Sequence, residues 1–141
     1  MAQAAGYTRL ESKLGVEGIH SDTDLAELVE RRLPATAVKA LVRGGLTDAE
    51  AWQLIVPRRT LAHRIARREP LSRDESDKAV RVARVVAQAE QVFDDPARAW
   101  RWMRKPKEQF ARRTPLELLA TEAGARLVEE LLTQIDHGMA A

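Results

Sequence analysis

The 141-residue chain contains no cysteine, which excludes both a disulfide framework and a thiolate metal site. It also has no apolar run approaching the roughly 20 residues that a membrane-spanning helix requires. The first residues, MAQAAGYTRLESK, lack the continuous apolar core of a secretory signal. With 45% hydrophobic and 31% charged residues, the composition is that of a globular domain. We therefore expect a cytoplasmic protein with no membrane association.

Motifs for catalysis and cofactor binding are missing as well. Neither a G-x-x-x-x-G-K-[ST] nor a G-x-G-x-x-G phosphate loop occurs. The histidines at 20, 63 and 137 are far apart and do not form an H-x-x-x-H pair. Asp136 and His137 are adjacent, but a frayed helix end rarely holds the geometry of an acid/base pair. The sequence predicts that the protein is not an enzyme and uses no catalytic residues, no metal and no cofactor.

Charge is distributed unevenly along the chain. The formal net charge is only +2, yet residues 57–113 carry sixteen Lys/Arg against eight Asp/Glu. Residues 114–141 carry one basic residue against five acidic ones. A basic centre suits a polyanion and an acidic end does not, so the two regions are expected to bind different partners.

Apolar residues recur at intervals of three and four, which predicts an all-α fold without β-strands. The longest periodic segment, over 74–93, is expected to be the long central helix of a helical bundle. Residues 1–20 contain three glycines and no sustained periodicity, so we expect a flexible N-terminal tail. The remainder is expected to divide into a DNA-binding and dimerisation region over 21–93 and a C-terminal region over 94–141.

Two short helices separated by a tight turn precede the long one. The first, over 47–55, opens with the T-x-x-E spacing of a capping box formed by Thr47 and Glu50. Val56 and Pro57 break it, and a second helix rich in arginine follows over 58–68. This is the helix-turn-helix pattern.

The second of these helices is the candidate for DNA contact. Leu61 and Ile65 supply its buried face, and arginine suits the exposed face because its planar fork pairs with phosphate oxygens or guanine edges. The alternative, a solvated arginine face on a structural helix, stays open. Phosphate binding is favoured over base readout because the helix has few amides and hydroxyls. The predicted DNA-binding residues are Arg58, Arg59, Thr60, His63, Arg64, Arg67 and Arg68.

A further basic run extends from residue 98 to 113, where a solvated face that adds to the positive field is expected. Trp100 and Trp102 lie two residues apart and cannot both face inward on a helix. Trp100 is assigned to the core. Trp102 is either an interface residue or a partly covered surface side chain.

The last periodic segment is a capped amphipathic helix with a short polar end. Thr121 is placed to cap it, and Gly138 is placed to stop it in a left-handed conformation. One face is polar and carries Glu129, Glu130 and Gln134. The opposite apolar stripe consists of Gly124, Val128, Leu131 and Ile135, flanked by Leu127 and Leu132. The pattern leaves open whether this segment closes a core or reaches toward another molecule.

In their order, GLTDAEAWQLIVPRRTLAHRIARREPLSRDES and PLELLATEAGARLVEELLTQIDHGM make the chain similar to the Xre/MbcA/ParS family of antitoxins. The resemblance covers about residues 24–139. Its most specific parts are RRTLAHRI, LSRDES and the terminal TPLELLATEAGARLVEELLTQIDHG.

This resemblance implies an Xre-like helix-turn-helix bundle with a C-terminal helical toxin-binding region, which would lie within residues 94–141. It implies a cognate RES-domain toxin, an enzyme that either degrades NAD or transfers ADP-ribose. It also implies a homodimer that represses its own operon and a C-terminal end that blocks the toxin's active site. The implied toxin-binding residues are Asp136, His137, Gly138, Met139, Ile135 and Glu130.

One residue departs from the family pattern. Pro57 precedes the basic helix where Xre-like proteins more often carry a serine that caps it, so a capping interaction is expected to be missing. The leading hypothesis is an antitoxin that inhibits a toxin. The alternative is a stand-alone helix-turn-helix transcriptional regulator in which the last helix only closes a core or a dimer.

Overall fold

The computed structural model describes residues 2–138, and the side chains of residues 6–138. Within that range the protein is all-α as predicted, with two isolated bridges and no strand. No helix in the described part of the chain is long and apolar enough to cross a membrane. The helices are α1 (Ala2–Leu14), α2 (Asp22–Arg31), α3 (Thr36–Arg43), α4 (Asp48–Leu54), α5 (Arg58–Arg67), α6 (Arg73–Phe93), α7 (Pro96–Met103), α8 (Pro115–Leu118) and α9 (Glu122–Asp136), with a 3-10 turn at Glu108–Phe110.

The helices form two compact units that divide between Ala83 and Arg84, inside α6. Residue 93, after which the sequence analysis places its domain boundary, is the last residue of α6, and that boundary stays a prediction. α6 is the longest described helix, as its unbroken periodicity predicts. Each unit carries one of the two candidate sites.

In the first unit, the start of α6 is bonded to the segment that precedes α3. The wholly buried Ser76 accepts a hydrogen bond from the backbone N–H of Leu33 at 2.9 Å. The backbone N–H of Leu71 donates to the carbonyl of Leu33 at 2.9 Å. Both leucine side chains are fully buried, so these polar bonds lie inside the core that holds α5 and α6 in place.

The flexible tail predicted over residues 1–20 is wrong for the described part of that segment. α1 packs against α3, and its Leu10 and Leu14 side chains are buried. Gly15 ends the helix with a φ of 65°. A glycine at this position is a helix stop rather than a sign of disorder, and two leucines at i and i+4 are a helical signal.

In the second unit, α7 begins with a side-chain cap. The side chain of Asp95 accepts a hydrogen bond from the backbone N–H of Ala97 at 3.0 Å, and Pro96 occupies the first helical position. The inner face of α7 buries Trp100, which is 8% exposed, and Met103. The assignment of Trp100 to the core is confirmed.

α8 and α9 meet at a close approach of backbone to backbone. Thr114 and Glu117 form a capping box that opens α8, and Thr121 caps α9 by accepting from the N–H of Gly124 at 3.0 Å. A Cβ atom on Gly124 would lie 2.9 Å from the carbonyl carbon of Leu118. Only glycine allows this contact, which sets the position of α9.

Candidate functional site

α4 and α5 are joined by a tight turn, as predicted. The hydroxyl of Thr47 accepts from the N–H of Glu50 at 3.1 Å, and the Glu50 carboxylate accepts from the N–H of Thr47 at 2.9 Å. α5 follows at once, with Pro57 at its N-cap and no side chain bonded to its free N–H groups. The missing capping interaction expected at this proline is confirmed.

The outward face of α5 carries a stripe of exposed basic side chains. Arg59, His63 and Arg67 follow one another at i, i+4 and i+8, and all three are exposed. Ala62 and Ala66 are also exposed beside them. Long basic side chains next to short ones let a helix approach the major groove closely while its arginines reach phosphates. The helical spacing in the sequence already places the two alanines on this face, but they are not among the predicted DNA contacts.

The remaining residues predicted to bind DNA are partly engaged by the protein itself. The guanidinium of Arg58 lies 5.0 Å from the centroid of the Trp52 ring, a cation–π contact. Thr60 is half-buried. Arg68 is exposed and ends the helix in a left-handed conformation with a φ of 56°.

Arg64 makes an ion pair inside the fold. Its Nε and Nη2 atoms donate to the two carboxylate oxygens of Glu75 at 3.0 and 3.2 Å, and Glu75 also forms a capping box with Ser72. Burial alone raises the pKa of Glu75, but the hydrogen bonds from Arg64 and Ser72 outweigh it and lower that pKa below its usual value. Arg64 therefore positions α5 against the start of α6, and DNA would have to compete for it.

α9 has a buried face and an exposed face. Ile135 is half-buried. Leu127, which is predicted to flank the apolar stripe, is 50% exposed, so the core does not cover the edge of the stripe that it occupies. The buried residues of the helix are Gly124, Ala125, Val128, Leu131 and Leu132.

Two side chains of α6 hold α9 within the second unit. Arg84 donates to both carboxylate oxygens of Glu129 at 3.1 and 3.2 Å and to Glu122 at 3.1 Å. Gln88 donates to the carbonyl of Glu129 at 3.3 Å and to the hydroxyl of Thr133 at 3.2 Å. Burial opposes the charge of Arg84, but the two glutamates outweigh it and raise its pKa. The pattern of the sequence gives no sign of this clamp, because its members are distant along the chain.

The polar end of the chain begins where α9 stops. Asp136 is the last helical residue, and Asp136, His137 and Gly138 are exposed. Gly138 has a φ of 71° and donates its N–H to the carbonyl of Ile135 at 3.0 Å, which confirms the predicted left-handed stop. Met139, the fourth residue of the predicted blocking element, lies outside the described residues.

The two predicted sets of site residues lie on different helices, one in each unit. The basic set lies on α5 in the first unit, and the acidic and polar set lies at the end of α9 in the second. Over residues 2–138, no group of three or more metal-ligating side chains is placed to hold an ion. The arrangement is that of two binding surfaces.

Comparison with known proteins assigns each surface to a known domain. Residues 24–84 match the antitoxin Xre-like helix-turn-helix domain, and residues 88–138 match the antitoxin Xre/MbcA/ParS C-terminal toxin-binding domain. The chain is 43% identical over 131 residues to the antitoxin Xre of Pseudomonas putida, covering 92% of this chain and 82% of that protein. The chain belongs to the Xre antitoxin family. The expected family is thereby confirmed.

Two further relatives of this antitoxin have lower identities to it. An antitoxin Xre of Yersinia enterocolitica is 33% identical over 85 residues, which cover 60% of this chain and 57% of that protein. The Prs ADP-ribosylating antitoxin of a Sphingobium species is 25% identical over 129 residues, 84% of this chain and 81% of that protein. The two matched domains give the antitoxin a toxin as partner and suggest DNA as another.

Proposed function

We propose that this antitoxin neutralises a RES-domain toxin, an enzyme that consumes NAD or transfers ADP-ribose from it, by occluding the toxin's active site with its C-terminal end. The observation that carries the proposal is the exposed face of α9, which leads to an exposed polar end inside the toxin-binding domain. The antitoxin needs no chemistry of its own for this role. It acts as an enzyme inhibitor and not as an enzyme.

Leu127 is the proposed apolar anchor of this surface. It is the exposed large hydrophobic side chain of the described residues, and it shares the outer face of α9 with Glu130 and Gln134. Burying the exposed half of a leucine against a partner contributes about 1 kcal/mol. An apolar centre with polar neighbours is the usual composition of a specific interface.

The proposed blocking element, residues 136–139, follows a helix that is held before the toxin arrives. The Arg84 and Gln88 contacts fix α9, and the left-handed stop at Gly138 sets the direction of the chain as it leaves the helix. A preorganised end loses less conformational entropy on binding, so more of the contact energy becomes affinity.

The NAD-using toxin is proposed from the family resemblance and is testable with purified components. A 1:1 mixture of toxin and antitoxin is expected to consume no NAD, whereas the toxin alone consumes it. Both reactions release nicotinamide, but only ADP-ribosylation leaves ADP-ribose attached to a protein, so protein-bound ADP-ribose distinguishes the two. The name of the Sphingobium relative supports ADP-ribosylation. A stable complex that still consumes NAD contradicts occlusion, and a free toxin that leaves NAD intact contradicts the RES assignment.

We further propose that the antitoxin represses its own operon through α5, as a homodimer within a toxin–antitoxin complex in the cytoplasm. The exposed stripe of Arg59, His63 and Arg67 supports phosphate contact. The beginning of α5 supports it too, because free N–H groups followed by Arg58 and Arg59 favour an anion.

A double variant of α5 tests this DNA contact. Arg59→Gln with Arg67→Gln is expected to weaken binding to the duplex upstream of the antitoxin's own gene at least about tenfold and to reduce the salt slope by about 2. Because both side chains are exposed, the melting temperature should not change. Fluorescence anisotropy across a salt series and thermal unfolding measure the two effects.

The matched control is Arg64→Gln, which removes a charge from the same helix but also breaks the pair with Glu75. It is expected to lower stability by about 1 kcal/mol, a modest figure because the pair is partly exposed. If both variants lost the same DNA affinity and Arg64→Gln kept full stability, Arg64 would be a DNA contact rather than a structural residue. That result would contradict the roles proposed for the exposed stripe and for Arg64.

The alternative function is a stand-alone transcriptional regulator, which the exposed basic stripe of α5 favours. It predicts tight operator binding without any partner and no toxin-sized reading frame beside the gene. Recovery of a toxin with the antitoxin from the native host decides against it.

A further inference from the structure

An open depression of about 980 Å³ lies in the second unit, between α7 and the segment that follows it. Phe93, Trp100 and Trp102 provide its aromatic wall. None of its lining residues among residues 2–138 is a carboxylate. Its cationic lining residues are Arg98, Arg101, Arg104, Lys105 and Lys107.

Two of these cations are held by aromatic rings. The guanidinium of Arg104 lies 4.6 Å from the centroid of Trp100, and the ammonium of Lys107 lies 4.8 Å from the centroid of Trp102. Trp102 in turn packs against Phe93, with ring centroids 5.5 Å apart. Cation–π contacts of this kind fix the positions of charges that would otherwise be mobile.

The segment after α7 forms a closed turn that presents Lys107. Its N–H donates to the carbonyl of Arg113 at 3.1 Å, and its own carbonyl accepts from the N–H of Arg112 at 2.9 Å. Burial, and then the neighbouring Lys105, lower the pKa of Lys107. The acid in this turn, Glu108, pairs with Arg112 at 3.4 Å and does not line the depression.

Five cations, two of them in contact with aromatic rings, favour an anion with repeated charges. We propose that this basic depression binds the phosphodiester backbone of a nucleic acid, as a second contact in addition to α5. Arg98, Arg101 and Lys105 are exposed and available to phosphates. Cationic grooves with aromatic side chains are typical of nucleic-acid binding. The face proposed for the toxin, on α9, is acidic and lies on a different helix.

The test replaces the three exposed cations in the full-length antitoxin, as Arg98→Gln, Arg101→Gln and Lys105→Gln together. The matched control removes three positive charges from the first unit, as Arg31→Gln, Lys39→Gln and Arg43→Gln together. These three residues are exposed as well, but they do not line the depression. Anisotropy titrations over a salt series use a labelled 20-base-pair duplex without operator sequence and a labelled 20-residue oligo-dT. The α5 double variant, with and without the depression variant, is measured alongside.

The depression variant is expected to weaken binding of at least one of the two nucleic acids about tenfold or more. Its salt slope should fall by about 2 to 3, which corresponds to about 0.9 for each phosphate no longer neutralised on the duplex and about 0.7 on a single strand. The control should change affinity less than about threefold. The duplex and oligo-dT arms show whether the backbone is double-stranded or single-stranded.

Two results would overturn the proposal. In the first, the depression variant binds both nucleic acids as tightly as the control does, and only the α5 variant loses affinity. That result supports DNA contact by α5 and contradicts a second contact in the depression. In the other, the depression variant keeps nucleic-acid binding and loses affinity for the toxin, which assigns the depression to the toxin interface.

Discussion

An antitoxin that ends at Ile135 is expected to bind its toxin and yet fail to inhibit it. The deleted residues follow α9 or form its last position, and the described ones among them, Asp136 to Gly138, are exposed rather than part of the core. The proposed anchor Leu127 and the clamp from Arg84 remain in place. If the C-terminal end blocks the toxin's NAD site and the helix face supplies the affinity, removing the end should abolish inhibition without preventing assembly of the complex.

The expected magnitude is a rise of at least about 100-fold in the antitoxin concentration that halves NAD turnover, equivalent to about 2.7 kcal/mol. Complex formation by size-exclusion chromatography and the melting temperature should remain close to those of the full chain. The control is a chain ending at Gly138, which restores the three described residues of the end. Full inhibition by the chain ending at Ile135 would show that the helix face suffices and that the end blocks nothing.

Gly124→Ala is expected to lower the free energy of unfolding by about 1–3 kcal/mol, although alanine is the better helix former by about 1 kcal/mol. The added methyl would meet backbone atoms of Leu118, which cannot rotate away as a side chain can. α9 must then shift away from α8, so its contacts with Arg84 and its outer face shift too. We expect weaker toxin neutralisation as a consequence.

Urea unfolding measures this effect, with Gly6→Ala as the matched control. Gly6 also lies in a helix, but nothing lies within 4 Å of a Cβ atom added there. That substitution should be neutral or raise stability by up to about 1 kcal/mol. Equal stability changes for the two variants would contradict the close approach of α8 and α9.

The sequence predicts most of the helices because their signals are local. Capping residues such as Thr47 and Thr121 lie three residues from their partners, and the proline at 57 and the glycine at 138 act within one turn. The prediction of a flexible tail is wrong for residues 2–14, because it rests on the glycines and not on the i, i+4 spacing of Leu10 and Leu14. Glycine is typical both of helix ends and of disordered segments, so only the packing of the neighbouring residues distinguishes the two cases.

The candidate sites are less predictable because contacts between distant residues determine them. Seven residues of the basic helix are candidates for DNA, yet the ion pair of Arg64 with Glu75 joins residues that no periodic pattern links. Leu127 is apolar like its neighbours, and only the packed helix shows that it faces outward. Which side of a helix is covered depends on tertiary packing, which a single sequence specifies only indirectly.

The two faces of α9 differ in what a substitution costs the fold. Substitutions among its buried residues alter the fold, whereas changes at Leu127, Glu130 or Gln134 cost little folding energy because those side chains are exposed. Partner choice is a difference between two affinities, and a single misplaced charge on an exposed face is enough to reject a related toxin. Duplicated pairs of toxin and antitoxin genes can therefore become orthogonal through a few exchanges on one helix.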